Sequence, residues 1–381
     1  MYPRLRIDIT WRDLWRAAAY AVSPRPATVD LGPEALATLS VRSGFDLLLG
    51  ALELPSGSEV LLSEVTVPHM ARIVREHDLT PVAVPVDPRT LSVSARDLER
   101  RITPRTRVMV AAHLYGTRMP LEEIGELCRQ RDVLLVEDCA QALTMSELTR
   151  HPAATVALYS FGPIKTATAC GGGVVLVEDT KMRQRMQQIS SGWPRQSSLS
   201  YLARVLKMGG LKLLSTRLLF TPMVWCIHHT GGDADAFVGH SARGFSDAAL
   251  FEHLRQQPCA ALNRMMAHRL AHFDSTHIAA RTERGRQLAQ SLDQGTDIYT
   301  AGCDNSTHTY WVFPVVSSHP SELVQSLRQA GFDASQHSGL VVVENDSPEH
   351  WFRKTVFVPH DIQVPEEKLV RIGEVVRQVD G

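Results

Sequence analysis

From about Ser43 to Val177 the chain alternates short apolar runs with stretches of helical spacing, and this alternation limits the fold more than any other feature. Val60-Leu61-Leu62 reads as a buried strand, Ala71 to His77 as a helix, and Pro81-Val82-Ala83-Val84-Pro85-Val86 as strand again. Arg107 to His113 is a further apolar run ending on a polar residue, Leu121 to Arg131 a helix, and Val133 to Val136 the next strand. Alternation of this kind predicts an α/β fold with a largely parallel sheet covered by helices on both faces. In such sheets ligands sit beyond the carboxyl ends of the strands, where Asp138 and His113 would lie.

The last third has a different texture. Ala261 to Leu292 reads as one long helix or two, Tyr310 to Val316 as a strand, Glu322 to Ala330 as a helix and Lys368 to Val379 as a closing helix. This predicts a large domain over residues 1–255, with a helical insert at about 196–250, and a small α+β domain over 256–381. At 381 residues the chain suits two domains. Its net charge of -1 gives no reason to expect nucleic acid as a partner. The six cysteines are scattered and form no Cys-x-x-Cys pair, which fits a reducing cytoplasm. The N-terminus does not read as a signal peptide, and no apolar run reaches the roughly 18 residues that a spanning helix needs.

Within the insert, Leu199 to Val224 sets Arg204, Lys207, Lys212 and Arg217 among Leu, Met, Val and Phe, with Trp225 just after. A helical hairpin packed on the large domain is the plainer reading; a basic amphipathic stretch at 199–225 touching a membrane surface is the sharper one.

Three residues in order suggest a cofactor. Asp138 stands one residue past a buried strand, Ser160 begins Ser160-Phe161-Gly162-Pro163-Ile164-Lys165, and Lys165 precedes Cys170-Gly171-Gly172-Gly173. Pyridoxal phosphate needs a lysine to bond its aldehyde as an imine, a carboxylate to keep its ring nitrogen protonated, and donors for its phosphate. The plain alternatives are a solvated loop lysine at 165 and an N-cap at Asp138. Arg42-Ser43-Gly44-Phe45-Asp46, ahead of a helical run, offers backbone N–H groups for the phosphate.

Ser43-Gly44, Gly57-Ser58-Glu59-Val60, His113-Leu114-Tyr115-Gly116, Glu137-Asp138-Cys139-Ala140-Gln141-Ala142 and Ser160-Phe161-x-Pro163-x-Lys165 together resemble the DegT/StrS-type aminotransferases. The resemblance is close from about residue 35 to 190 and loose beyond. It implies the fold type I architecture of pyridoxal-phosphate enzymes, a mostly parallel seven-stranded sheet with a smaller C-terminal domain, and a homodimer whose site borrows residues across the interface. It implies that Lys165 holds pyridoxal 5'-phosphate and moves protons, that Asp138 pairs with the ring nitrogen, and that Gln141 lies near the phenolic oxygen. Ser160 and the backbone of Gly44, Phe45 and Asp46 would bind phosphate. The family's sugar dehydratases carry histidine where this chain has Lys165, so the resemblance favours transamination: from an amino acid donor, glutamate, to a keto or aldehyde acceptor such as a keto sugar.

Departures from the pattern accompany it. Phe45 and Asp46 stand where the family often has Thr-Ala, which removes a hydroxyl and brings a carboxylate that should repel phosphate unless turned away. No aromatic ring except His69 occurs in Val65-Thr66-Val67-Pro68-His69, so Val67 or His69 would cover the cofactor face. The family's phosphate-binding asparagine from the partner subunit falls near His253 and Arg255. These changes leave room for a lipid-linked or natural-product substrate, or for a scaffold that binds the cofactor without catalysis. No metal is expected: His228, His229, Asp233, Asp235 and His240 match no ligand spacing, and Arg269 stands between His268 and His272 where a zinc protease needs glutamate.

Overall fold

The computed structural model describes residues 1–4, 7–23, 31–230, 249–292, 298–336, 339–345 and 347–380. The chain runs α1 (Trp11–Val22), β1 (Ala35–Thr38), α2 (Val41–Leu52), β2 (Glu59–Ser63), β3 (Val65–Thr66), α3 (Pro68–Glu76), β4 (Thr80–Val84), α4 (Ala95–Arg101), β5 (Thr106–Ala112), α5 (Glu122–Gln130), β6 (Leu134–Asp138), β7 (Val156–Ser160), β8 (Gly173–Val177) and α6 (Thr180–Ser191). Then come α7 (Ser198–Leu214), α8 (Arg217–His229), α9 (Leu250–Leu254), α10 (Ala260–Ala271), α11 (Ser275–Leu292), β9 (Tyr299–Thr300), β10 (Phe313–Val316), α12 (Pro320–Gln329), β11 (Val341–Val342), β12 (Thr355–Val358) and α13 (Glu366–Asp380).

Seven strands form one sheet in the order β1-β8-β7-β6-β5-β2-β4. The run β7-β6-β5-β2-β4 is parallel, while β8 is antiparallel to both β7 and β1. Both faces are buried because successive residues point to opposite sides. Val60, Leu62, Val108, Val110 and Val136 share a core with α2 and α3, whereas Leu61, Met109, Ala111 and Leu135 share another with Leu98 of α4 and Ile124 of α5. Side-chain caps fix where several helices begin: Thr10 for α1, Ser40 for α2, Ser94 for α4, Asp179 for α6 and Ser197 for α7.

β9, β10 and β12 form a separate antiparallel sheet. With α11, α12 and α13 it encloses its own core around Phe313, Phe332 and Ile372. The helical segment expected over Ala261 to Leu292 is a pair, α10 and α11. α10, which falls beyond the division expected at residue 255, shares a core with α1 and α7 through Leu262, Met265 and Met266. The insert begins with two successive helices, α7 and α8; α7 shares the core of α1 and α10, and α8 buries Phe220 and Val224 beside Met1. Residues 231–248, which include Asp233, Asp235 and His240, lie outside the described residues.

Candidate functional site

β6 ends in two acids with opposite fates. Glu137 points into the protein, where its carboxylate accepts from His113 Nε2 at 3.0 Å, from Arg118 at 3.2 Å and from the His151 backbone N–H at 2.9 Å. These partners outweigh burial and hold its pKa down to about 2. The other nitrogen of His113 accepts the Met119 N–H at 3.1 Å, so both ring nitrogens are engaged. The cluster of His113, Glu137 and Cys139 is the group of possible metal-ligating side chains among the described residues, and it is closed by these internal bonds. His113 therefore braces the strand ends instead of facing a ligand.

Asp138 takes the other face. It is half-buried, its Oδ1 accepts the Ala140 N–H at 2.9 Å, and burial raises its pKa, with Lys165 acting against that rise. No described helix begins directly after Asp138, so the N-cap reading of this residue is not met: it closes a short turn at Ala140 with one carboxylate oxygen.

Lys165 lies in the loop from β7 to β8, and that loop is tied down at nearly every step. Phe161 is fully buried, its N–H donates to Gly172 O at 3.0 Å, and its carbonyl accepts from Ala169 and Gly171. Cys170, Gly171 and Gly172 all have positive φ, at 63°, 149° and 95°, so the glycines supply backbone that other residues resist. Gly173 is needed for another reason: a Cβ there would stand 2.7 Å from the Ser40 carbonyl carbon and the Val41 nitrogen. The lysine loop is thereby pressed against the start of α2. Burial, reinforced by the charge of Arg42, lowers the Lys165 pKa to about 8, with Asp138 opposing.

The phosphate end differs from the sequence reading. Ser40 caps α2: its Oγ accepts the Ser43 N–H at 3.1 Å, and its carbonyl accepts the Gly44 N–H at 3.0 Å. Gly44, Phe45 and Asp46 thus lie one turn inside the helix, where N–H groups are spent on helical bonds. Gly44 serves packing, since a Cβ would meet Val175 at 2.4 Å, and Phe45 is core. Asp46 is turned away and held by His77 at 3.0 Å and Arg255 at 3.0 Å, which lower its pKa against burial. The repulsion expected of this carboxylate does not arise. The start of the helix is Ser40 to Arg42, and the charge of Arg42 acts on Lys165. Arg42 bonds His69 Nδ1 at 2.7 Å. Val67 is the N-cap position of α3, and His69 lies in its first turn, buried. The Ser160 hydroxyl accepts the Gly162 N–H at 3.3 Å. The region matched to the partner's asparagine holds Arg255, spent on Asp46 and Glu76 within the chain.

One side chain at the site escaped the sequence reading. Trp311 lies over the Lys165 amine, 4.1 Å from Nζ to the ring centroid, and its Nε1 donates to Ile164 O at 3.2 Å. It is seated on the backbone of Tyr115 and Gly116: the Tyr115 carbonyl accepts the Trp311 N–H at 2.9 Å, and the Gly116 carbonyl accepts the Thr309 N–H at 2.9 Å. A Cβ at Gly116 would stand 2.8 Å from the Trp311 nitrogen, which explains the glycine in the His113-Leu114-Tyr115-Gly116 run. Gln141 completes the seat, its Oε1 accepting the Tyr115 N–H at 3.0 Å. No periodicity marks Trp311, because it precedes β10 and its placement depends on contacts far along the chain.

A base of low pKa, a carboxylate at the neighbouring strand end, a hydroxyl, and a capped helix start beside an arginine form a donor set that fits a phosphorylated aldehyde cofactor. Residues 32–209 match the DegT/DnrJ/EryC1/StrS aminotransferase family. Over 141 residues the chain is 30% identical to the GDP-perosamine synthase of Escherichia coli O157:H7, a stretch that covers 36% of this chain and 39% of that relative. Solved structures share the fold along the whole length. A sugar aminotransferase from Micromonospora echinospora matches with a TM-score of 0.65 at 20% identity, covering 99% of this chain and 100% of that one. The E. coli GDP-4-keto-6-deoxy-D-mannose-3-dehydratase, solved with hydrated pyridoxal phosphate, matches at 0.70 and 14% identity, covering 99% of each. Among the described residues no helix is long and apolar enough to cross a membrane.

Proposed function

We propose that this chain, which over residues 32–209 matches the DegT/DnrJ/EryC1/StrS aminotransferase family, is a pyridoxal-phosphate-dependent aminotransferase. It takes an amino group from an amino acid, glutamate in the first instance, and delivers it to a keto sugar, acting as a cytoplasmic homodimer. The observation that carries the reading is the placement of Lys165: a half-buried amine at the carboxyl end of a parallel sheet, with pKa lowered to about 8, between Asp138, Arg42 and the ring of Trp311.

Pyridoxal phosphate, when bound, supplies an electrophilic carbon and an electron-withdrawing ring. The rest is done by this chain. Arg42 and the start of α2 present positive charge and N–H groups to a phosphate. Asp138, once facing a protonated ring nitrogen, is held in its charged form in spite of burial. Lys165 Nζ can lose and regain a proton near neutral pH because its pKa sits near the working range. Trp311 covers that amine and limits the access of water to it. Acceptor choice rests on the family and on relatives named for sugar chemistry.

Adding pyridoxal phosphate to the purified chain should raise an absorbance band above about 400 nm that is absent in Lys165→Ala. Glutamate should then bleach the band, and a keto-sugar nucleotide should restore it where simple keto acids do not. A band that no amino acid bleaches would sink transamination. Recovery by simple keto acids alone would sink the sugar acceptor.

A further inference from the structure

α1 and α7 pack against each other through Leu14, Ala17 and Ala21 on one side and Tyr201, Val205 and Met208 on the other, all within one core. Their outer faces are apolar as well. α7 exposes Leu199, Ala203, Leu206, Gly210 and Leu213, spaced alternately by four and three residues, so they form one continuous stripe along the helix. α1 exposes Trp11, Trp15, Ala19 and Val22 in the same manner. The stripes adjoin, because the Trp11 ring lies 3.8 Å from where a Cβ on Gly209 would stand. On α8, the next helix in the chain, Leu218 is 87% exposed and Trp225 is exposed as well. Isolated exposed leucines are ordinary on a soluble protein, but two adjoining stripes on neighbouring helices are not.

Charge indicates what covers this face. From Ser198 to Thr230 there is no aspartate or glutamate, against Arg204, Lys207, Lys212 and Arg217. Arg204 turns inward toward Gly171, whereas Lys207 and Arg217, with Arg12 of α1, are exposed. The acid of α1, Asp13, is also turned inward, bonded to His268 at 3.0 Å and to Arg269 at 2.9 Å. The surface is therefore apolar and carries exposed cations without an exposed acid on α7 or α8. A second copy docking here would set these cations against their own equivalents. Exposed tryptophans beside lysine and arginine suit the headgroup boundary of a bilayer, where an apolar ring meets water and anionic lipid meets the cations.

We propose that the joint face of α1, α7 and α8 seats the protein on an anionic lipid bilayer, lying on the surface without crossing it. This goes beyond the aminotransferase reading and does not depend on it. The test is flotation of the full chain, loaded with pyridoxal phosphate, with vesicles of phosphatidylcholine alone or mixed with phosphatidylglycerol. Wild type should float with the mixed vesicles, stay down with phosphatidylcholine, and be released by high salt. Leu206→Gln with Leu213→Gln, and separately Trp15→Gln, should each lower partitioning about tenfold or more. Lys207→Glu with Arg217→Glu should lower it several-fold. The circular dichroism and thermal unfolding of every variant should match wild type, showing that the fold is intact. Wild type that stays down with mixed vesicles, or variants that float equally well, would overturn the proposal. So would sedimentation showing that the leucine variants halve the assembly, which would assign the face to a second copy.

Discussion

The two sides of Lys165 are built differently. Below it, the large domain supplies Asp138 and the lysine loop from neighbouring strand ends: β6 pairs with β7 in parallel, and Lys165 follows β7 by five residues. Above it, Trp311 arrives from 147 residues further along the chain than its partner Ile164, and rests on the backbone of a turn. The lysine and the carboxylate lie at the ends of strands of the large sheet. Trp311 belongs to the unit built on β9, β10 and β12, which meets the large sheet through a core shared by Tyr115, Ala301, Val316 and Phe357 and through the pairing of β11 with β3.

Substitutions can break this contrast at its strongest point first. Lys165→Ala should lower transamination by about 10⁴-fold or more, with no loss of thermal stability, since it removes an amine whose charge burial disfavours. Turnover within tenfold of wild type would refute the lysine's role. Asp138→Asn should lower kcat by about 10²- to 10⁴-fold while stability moves little. Its neighbour should behave in the opposite way. Glu137→Gln leaves His113 and Arg118 without the charge they surround and should cost about 3 kcal/mol in denaturant unfolding. Equal effects of both changes on activity would show that the two faces of β6 are not separated as the structure has them.

The upper side should give smaller numbers. Trp311→Ala should lower kcat/KM about tenfold, and Trp311→Phe should restore most of it. The pH profile is the more telling measurement. Only the neutral amine captures an aldehyde, so capture by wild type should rise as pH increases through about 8 and level off above. Burial is the main cause of the lowered value, so opening the site with Trp311→Ala should move the midpoint upward. A midpoint that stays in place would mean that the ring does not shield the amine.

The smallest effect concerns the support of Trp311. His308 stacks on Tyr310 at 4.0 Å, and His360 donates to the Tyr310 carbonyl at 2.7 Å. Burial lowers the pKa of His308 to about 3 and that of His360 to about 4. Between those values and the ordinary 6.5 the unfolded chain binds the extra protons, so their contribution is intact above pH 6.5 and declines as pH falls. Small-domain unfolding, followed by Trp311 fluorescence, should therefore begin at higher pH than loss of the Glu137 cluster, whose contribution declines only from about 4.5 toward 2.

Much of the lower side could be read directly from the sequence. Asp138 was legible because it follows the apolar run Val133 to Val136, and Lys165 because it stands between Ser160-Phe161 and the glycines at 171–173; the strand that carries Lys165, β7, was not singled out in the sequence. The phosphate end was legible in kind but not in register: Ser43-Gly44 stood out as a helix start, whereas the cap is Ser40 and the cation is Arg42. A one-turn displacement of this sort turns on whether Ser40 or Ser43 accepts the backbone N–H three residues on, and two serines three residues apart offer the same chemistry. The segment Val65 to His69 offers His69 as its one ring, whereas the aromatic over the lysine amine, Trp311, stands just before β10.

The sequence by itself determined the largely parallel character of the sheet and the placing of Asp138 beyond the carboxyl end of one strand, which follow from local periodicity and from the rule that parallel strands open their carboxyl ends to ligands. Lys165 was marked by its motif and by the family resemblance. The tertiary structure decided what no local pattern encodes: that Asp46 turns away to Arg255, that Glu137 is bound inside while Asp138 faces out, and that Trp311 closes over Lys165. Each depends on a partner distant in sequence, and such contacts are fixed only when whole layers pack.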